Sequence, residues 1–204
     1  MVDHGRDATV ARLEPVWRQT YLALTAGLRL ADHLHNIAGW RPAADLHLHR
    51  QMTRREAMEH LKGLDPEELD DDDNFGLPMS GLLLRPSDSD VLRVWHSTDP
   101  SIPVRDSRPA REFCAQAPSR ADVLPLPGLN VRTLSGACHT ILHWTAQGTK
   151  IIRFDLVRPL GVDHSAVLVD WRAPLLGRLA RVDDLPFRRR HERHEQDEEG
   201  SAAR

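Results

Sequence analysis

The sequence predicts an α+β protein, with N-terminal helices packed on a C-terminal, mostly antiparallel sheet. Three observations carry this expectation. Apolar residues in the first forty positions recur at steps of three and four. β-Branched and aromatic residues concentrate in short runs further along the chain. Between these textures, residues 65–73 hold seven acidic side chains and no basic one. Like-charge blocks of this kind stay solvated. The chain therefore divides into a helical segment (1–64), an acidic and Gly/Pro-rich linker (65–81), a sheet-containing segment (82–187) and a charged tail (188–204) expected to be disordered.

In the first segment, Val10, Leu13, Trp17, Tyr21, Leu24 and Leu28 form one apolar stripe. Leu30, Leu34 and Ile37 extend it around a neighbouring face. Pro15 belongs in a first helical turn, so a short lead-in precedes the main helix. Gly39 is the expected stop, and Pro42 marks a break. A second helix is expected from Thr53, whose spacing to Glu56 is that of a capping box, and it should end near Gly63. Asp65-Pro66 looks like the start of another short helix reaching Leu69. Residues 45–50 read equally as a helical lead-in or a short extended run.

Strands are expected over residues 82–84 and 91–96, joined by a turn at 86–90. Residues 98–104 carry two prolines and read as irregular. A helix over 108–116 has Ser107 as its N-cap and Pro109 in its first turn. The strongest strand signals are residues 131–134, 139–144, 151–157 and 166–171. Gln147-Gly148 suits a hairpin turn, and residues 158–161 suit another connection. Residues 175–182 read as a last strand or a short helix.

The chain has 204 residues, 40% of them apolar, enough for a core without staples. It has no apolar run long enough to span a membrane and no signal-peptide core, so a soluble, cytoplasmic protein is expected. Two cysteines exclude a disulfide scaffold. A net charge of −3 argues against a dedicated nucleic-acid binder. Lysine occurs only at Lys62 and Lys150, and every other basic residue of this kind is arginine, which stays charged and binds carboxylate or phosphate bidentately. Phosphate-loop, dinucleotide-binding, nucleophile-elbow and His-Glu-x-x-His patterns are all missing. The acids around residues 70–76 fit no EF-hand register.

The sharpest local motif is Asp45-Leu46-His47-Leu48-His49. On an extended strand, His47 and His49 point the same way and can share one divalent transition metal such as zinc, with Asp45 as a further ligand or an orienting group. The pentapeptide resembles the first metal motif of PHP-type phosphoesterases and of amidohydrolases. That resemblance implies a metal-dependent hydrolase, with His164, Asp163 and His139 as further groups to converge. The strand–helix alternation of those barrels is missing from this chain. His33-Leu34-His35 repeats the spelling on a helix, where i and i+2 do not face each other. Convergence of the two pairs across residues 39–42 would assemble a four-histidine site.

Cys138, His139 and His143 lie close in sequence, with the two histidines sharing a strand face and Cys138 turned away. Cys114 on a helix, followed by a strand led by His164 and ending near Asp170, resembles NlpC/P60-type papain-like peptidases and implies Cys–His hydrolysis. The family's Asp-Cys-Ser-Gly pattern is missing, and Cys114 stands late in its helix. The leading expectation is therefore a non-catalytic protein that binds a partner protein, a second copy or a small molecule. Trp17 and Tyr21 are its candidate interface residues. The metal-dependent hydrolase and the Cys–His hydrolase are its alternatives.

Overall fold

The computed structural model describes residues 5–40, 46–62, 81–104, 108–116 and 137–179. The expected linker, the 131–134 strand, the Asp65-Pro66 helix, the Ser107 cap and the charged tail lie outside these residues. The architecture is α+β, as expected. Helices α1 (Arg6–Arg12), α2 (Glu14–Ile37) and α3 (Leu46–Leu61) precede hairpin β1 (Gly81–Ser87) and β2 (Asp90–His96). Helix α4 (Arg108–Cys114) comes next, then the meander β3 (Cys138–Gln147), β4 (Lys150–Asp163) and β5 (Ala166–Pro174). The sheet order follows the chain order, and β2 against β3 is its one parallel pair.

α2 forms where the three-four periodicity places it, with Pro15 in its first turn. It buries Trp17, Leu24 and Leu28 against Leu84, Leu92, Phe154 and Leu156 on one face of the sheet. Trp17 donates its indole N–H to the Val10 carbonyl at 3.0 Å, so burying the ring strands no polar group. Tyr21 meets Phe154 edge-on at 5.3 Å. Of the two aromatics expected at an interface, Trp17 is thus a core residue and Tyr21 packs against the core partly buried. Trp17 is only 1% exposed.

α3 starts seven residues before the expected Thr53. Leu46 to Met52 contains good helix formers and neither Gly nor Pro, so nothing stops the helix from extending backward. Thr53 is an interior residue rather than a cap: its hydroxyl donates to the His49 carbonyl one turn back. α3 packs very closely on α2. A Cβ added at Gly27 would stand 2.3 Å from the Thr53 carbonyl oxygen. Alanine normally improves a helix interior by about 1 kcal/mol over glycine. Here Gly27→Ala must force two backbones apart, and a net loss of about 2 kcal/mol is expected in urea denaturation. A neutral result would mean the two helices do not cross this closely.

The opposite sheet face carries a second core of Trp95, Ile102, Ile141, Val157 and Val167, closed by Val104 and by Cys114 of α4. β4 runs on through the expected 158–161 connection by means of bulges around Pro159, and the reversal falls instead at His164-Ser165. His164 takes the left-handed conformation this needs, with φ +52°. Gly148 does the same between β3 and β4, with φ +58°. Paired residues of β3 and β4 end at Ile141 opposite Val157. Beyond them the Gln116 carboxamide takes the place of a strand partner. It accepts from the His139 N–H and donates to the His139 carbonyl, each at 2.8 Å, and also reaches the Pro159 carbonyl. Residues 175–182 supply only a 3₁₀ turn, Leu176–Arg178, within the described residues.

Candidate functional site

The end of α2 and the start of α3 form the most distinctive surface of the molecule. α2 stops in a Schellman arrangement. The Trp40 N–H donates to the His35 carbonyl at 2.9 Å, and the Gly39 N–H donates to the Asn36 carbonyl at 3.2 Å. Gly39 has φ +69°, so the expected stop is the residue whose missing Cβ permits the turn. The motif brings the Trp40 ring edge-on to the His35 ring at 6.1 Å.

On the outer face of this tip, Leu30, Leu34 and Ile37 follow one another at helical spacing and remain 36%, 38% and 71% exposed. Trp40 and Leu46 add to the same end, at 57% and 53%. Five large apolar side chains gathered at one end of a domain are an unusual surface for a free monomer. Only Ile152 and Leu168, both on the sheet, are comparably exposed among the described large apolar residues.

Beneath this tip lies a pair of histidines. His35 is 1% and His49 8% exposed, and their rings stand 5.3 Å apart, tilted by 56°. His35 Nδ1 lies 2.8 Å from the Ala31 carbonyl. A carbonyl only accepts, so Nδ1 carries a proton, and in the neutral ring Nε2 then presents a bare lone pair. That buried Nε2 has no hydrogen-bond partner among the described residues. Burial lowers the His49 pKa first of all, and the neighbouring His35 lowers it further, while Asp32 pulls the other way.

The sequence motif is thus rearranged. His47 and His49 lie on a helix, α3, rather than on a strand. The shared strand face that would have paired them is absent. Asp45 and the side chain of His47 lie outside the described residues. His49 instead meets His35, one member from each His-x-His pair. The signal for His35 was present in the sequence: Leu28, Ala31 and His35 continue the buried face of α2 at steps of three and four. Asp163 and His164 stand on the β4–β5 turn with side chains 71% and 95% exposed. His139 packs under α4, stacked on Phe113 at 4.9 Å. Among the described residues, no three His, Cys, Asp or Glu side chains gather as a metal-binding group.

The cysteines do not have the surroundings of nucleophiles. Burial pushes the Cys114 thiol up to about 12, and it raises Cys138 as well. Catalytic thiolates need the opposite, an accessible electropositive site. His164, pointing almost wholly into water, is no base for a thiol that is 1% exposed. The sheet does carry buried charge, which sequence reading missed. Arg158 bonds Asp170 at 2.6 Å, and Arg172 bonds both Asp155 and the Pro100 carbonyl. These ion pairs tie β4 to β5, as a structural network does. An open cleft of about 640 Å³ beside the β1–β2 turn is lined by Arg85, Ser87, Ser89 and His139. Its hydroxyls are engaged with Asp90, and the His139 Nδ1 with the Phe113 carbonyl.

Among the described residues, no helix is long and apolar enough to cross a membrane. No protein-family model, no curated protein and no solved structure matches this chain.

Proposed function

We propose that this chain is a non-catalytic binding module that self-associates through the α2–α3 tip. The observation that carries the reading is the exposed stripe of Leu30, Leu34 and Ile37, flanked by Trp40 and Leu46. The stripe is self-complementary. Two copies of α2 laid antiparallel about Leu34 set Leu30 of each against Ile37 of the other, as a two-fold interface requires. The stripe residues carry no charge, so the pairing desolvates no ion among them. We place the protein in the cytoplasm, a reading that two buried free cysteines fit.

Sedimentation equilibrium of the full chain from about 1 to 100 μM should show a monomer–dimer equilibrium. The double substitution Leu34→Asp/Ile37→Asp should weaken it at least tenfold, because two carboxylates would then be buried against apolar neighbours. Both side chains are exposed in one copy, so the thermal midpoint of the dilute variant should barely move. A wild-type chain that stays monomeric throughout that range would overturn self-association and leave the tip for a different protein or a small apolar ligand.

A further inference from the structure

His35 and His49 come from helices joined across the Schellman turn, and each is more than nine-tenths buried. Their separation has a simple chemical meaning. Zinc holds imidazole nitrogens at about 2.0–2.1 Å, so ring centres lie about 3.2 Å from the metal and about 5.2 Å from each other at the tetrahedral angle. The observed separation is 5.3 Å. The backbone has also prepared one of the rings. Donation from His35 Nδ1 to the Ala31 carbonyl fixes the tautomer that leaves Nε2 bare, the usual outer-shell arrangement of a metal-bound histidine. That lone pair is buried and otherwise unused among the described residues. His49 keeps an exposure of 8%, against 1% for His35. Asp32, one turn back on α2, places a negative charge close enough to act on His49.

From this juxtaposition we infer that His35 and His49 form a two-histidine seat for a divalent transition ion, with zinc the best match and water filling its remaining positions. The site differs from the one expected at His47 and His49, since it recruits its second imidazole from α2. It is independent of self-association: a metal-binding monomer and a metal-free dimer are distinguishable results. Imidazole is neutral when it ligates, so the ion brings a positive charge under the tip and ties α2 to α3 near the turn that joins them.

The test is calorimetric titration of the full chain with Zn²⁺ alone at pH 7.5. One equivalent should bind with saturable heat. His35→Gln and His49→Gln should each weaken that event at least tenfold, whereas His164→Ala and the tail double variant His191→Ala/His194→Ala should leave it unchanged. Cu²⁺ bound to the unmodified chain provides a readout that needs no variant, since its electron paramagnetic resonance spectrum should show coupling to two imidazole nitrogens. Absence of zinc binding would overturn the inference and assign the His35 lone pair to a buried water. Binding that survives both glutamine substitutions, or is lost with His164→Ala or with His191→Ala/His194→Ala, would also overturn it.

Discussion

Between pH 6.5 and 5 the folded state is expected to lose about 3 kcal/mol of stability. The cause is two histidines packed into the sheet. Burial lowers His143 to about 4, with the Arg172 and Arg153 charges adding to the effect against an opposing hydrogen bond to the Ser97 carbonyl. Burial likewise lowers His96 to about 4, helped by Arg50 and by His143 itself. In the unfolded chain both titrate near 6.5. Above that value both states are neutral at these residues, and the native packing is at its full advantage. As pH falls below it, the unfolded chain takes up protons that the folded chain refuses. Each residue then costs about 1.4 kcal/mol per pH unit until its folded pKa is reached. Urea denaturation in steps from pH 7.5 to 4.5 reads this directly. His143→Gln keeps a donor for Ser97 while removing the titration, so it should flatten the profile by roughly half. A wild-type stability that is level from pH 7 to 5 would show that neither ring is held neutral.

Arg12→Ala is expected to cost about 3 kcal/mol. Arg12 approaches Asp90 with two parallel hydrogen bonds, Nε to Oδ2 at 3.0 Å and a terminal nitrogen to Oδ1 at 2.8 Å. Asp90 is 2% exposed, so truncating its partner leaves a carboxylate inside the protein. Burial alone lifts the Asp90 pKa. The guanidinium, with the Ser87 and Ser89 hydroxyls, outweighs that and holds it below the ordinary carboxylate range. Its contribution is therefore present at neutral pH and lost only as pH falls through the lowered value, below the histidine window. Arg12→Lys should fall between wild type and alanine, because one ammonium cannot reproduce the fork. Asp90→Asn should cost less than Arg12→Ala, since the arginine left behind can turn toward water. Equilibrium unfolding of the three variants provides the comparison. An Arg12→Ala chain within about 0.5 kcal/mol of wild type would reduce the contact to an ordinary surface pair.

Much of this architecture was legible from local pattern. The α2 stripe and the Gly39 stop follow from a single periodicity and the residue that interrupts it, and the runs that became β2, β3, β4 and β5 from their β-branched and aromatic content. The failures share a cause. The Thr53–Glu56 capping box was locally plausible, but Leu46 to Met52 extended the helix past it. The Arg158–Gly161 segment has the composition of a connection, yet neighbouring strands carry β4 through by way of bulges. At the site, sequence spacing paired His49 with His47, its neighbour in the chain. The contact that formed is with His35, and it depends on the angle at which two helices return past each other. Buried charges such as Asp90 and Arg158 were invisible for the same reason. Their partners lie in other elements, and nothing in a linear pattern reports such distances.

The parallel seam between β2 and β3 has a consequence for how the chain folds. The β1–β2 hairpin and the β3–β4–β5 meander are each closed by tight reversals and can organise early. Joining them brings together residues such as Val91 and Thr140, which lie 49 positions apart. Enclosing a loop of that length costs about 2 kcal/mol more entropy than a hairpin reversal, and none is recovered until the two strands meet. Helix α2 shares one buried cluster with Leu92 of one part and with Leu142 and Phe154 of the other. The slow event in reaching the native state is therefore expected to be the joining of these two parts, with the N-terminal helices as the clamp. A nascent chain has made that clamp and its first half long before the second half emerges, so it must keep an unpaired β2 edge from the wrong partner in the meantime.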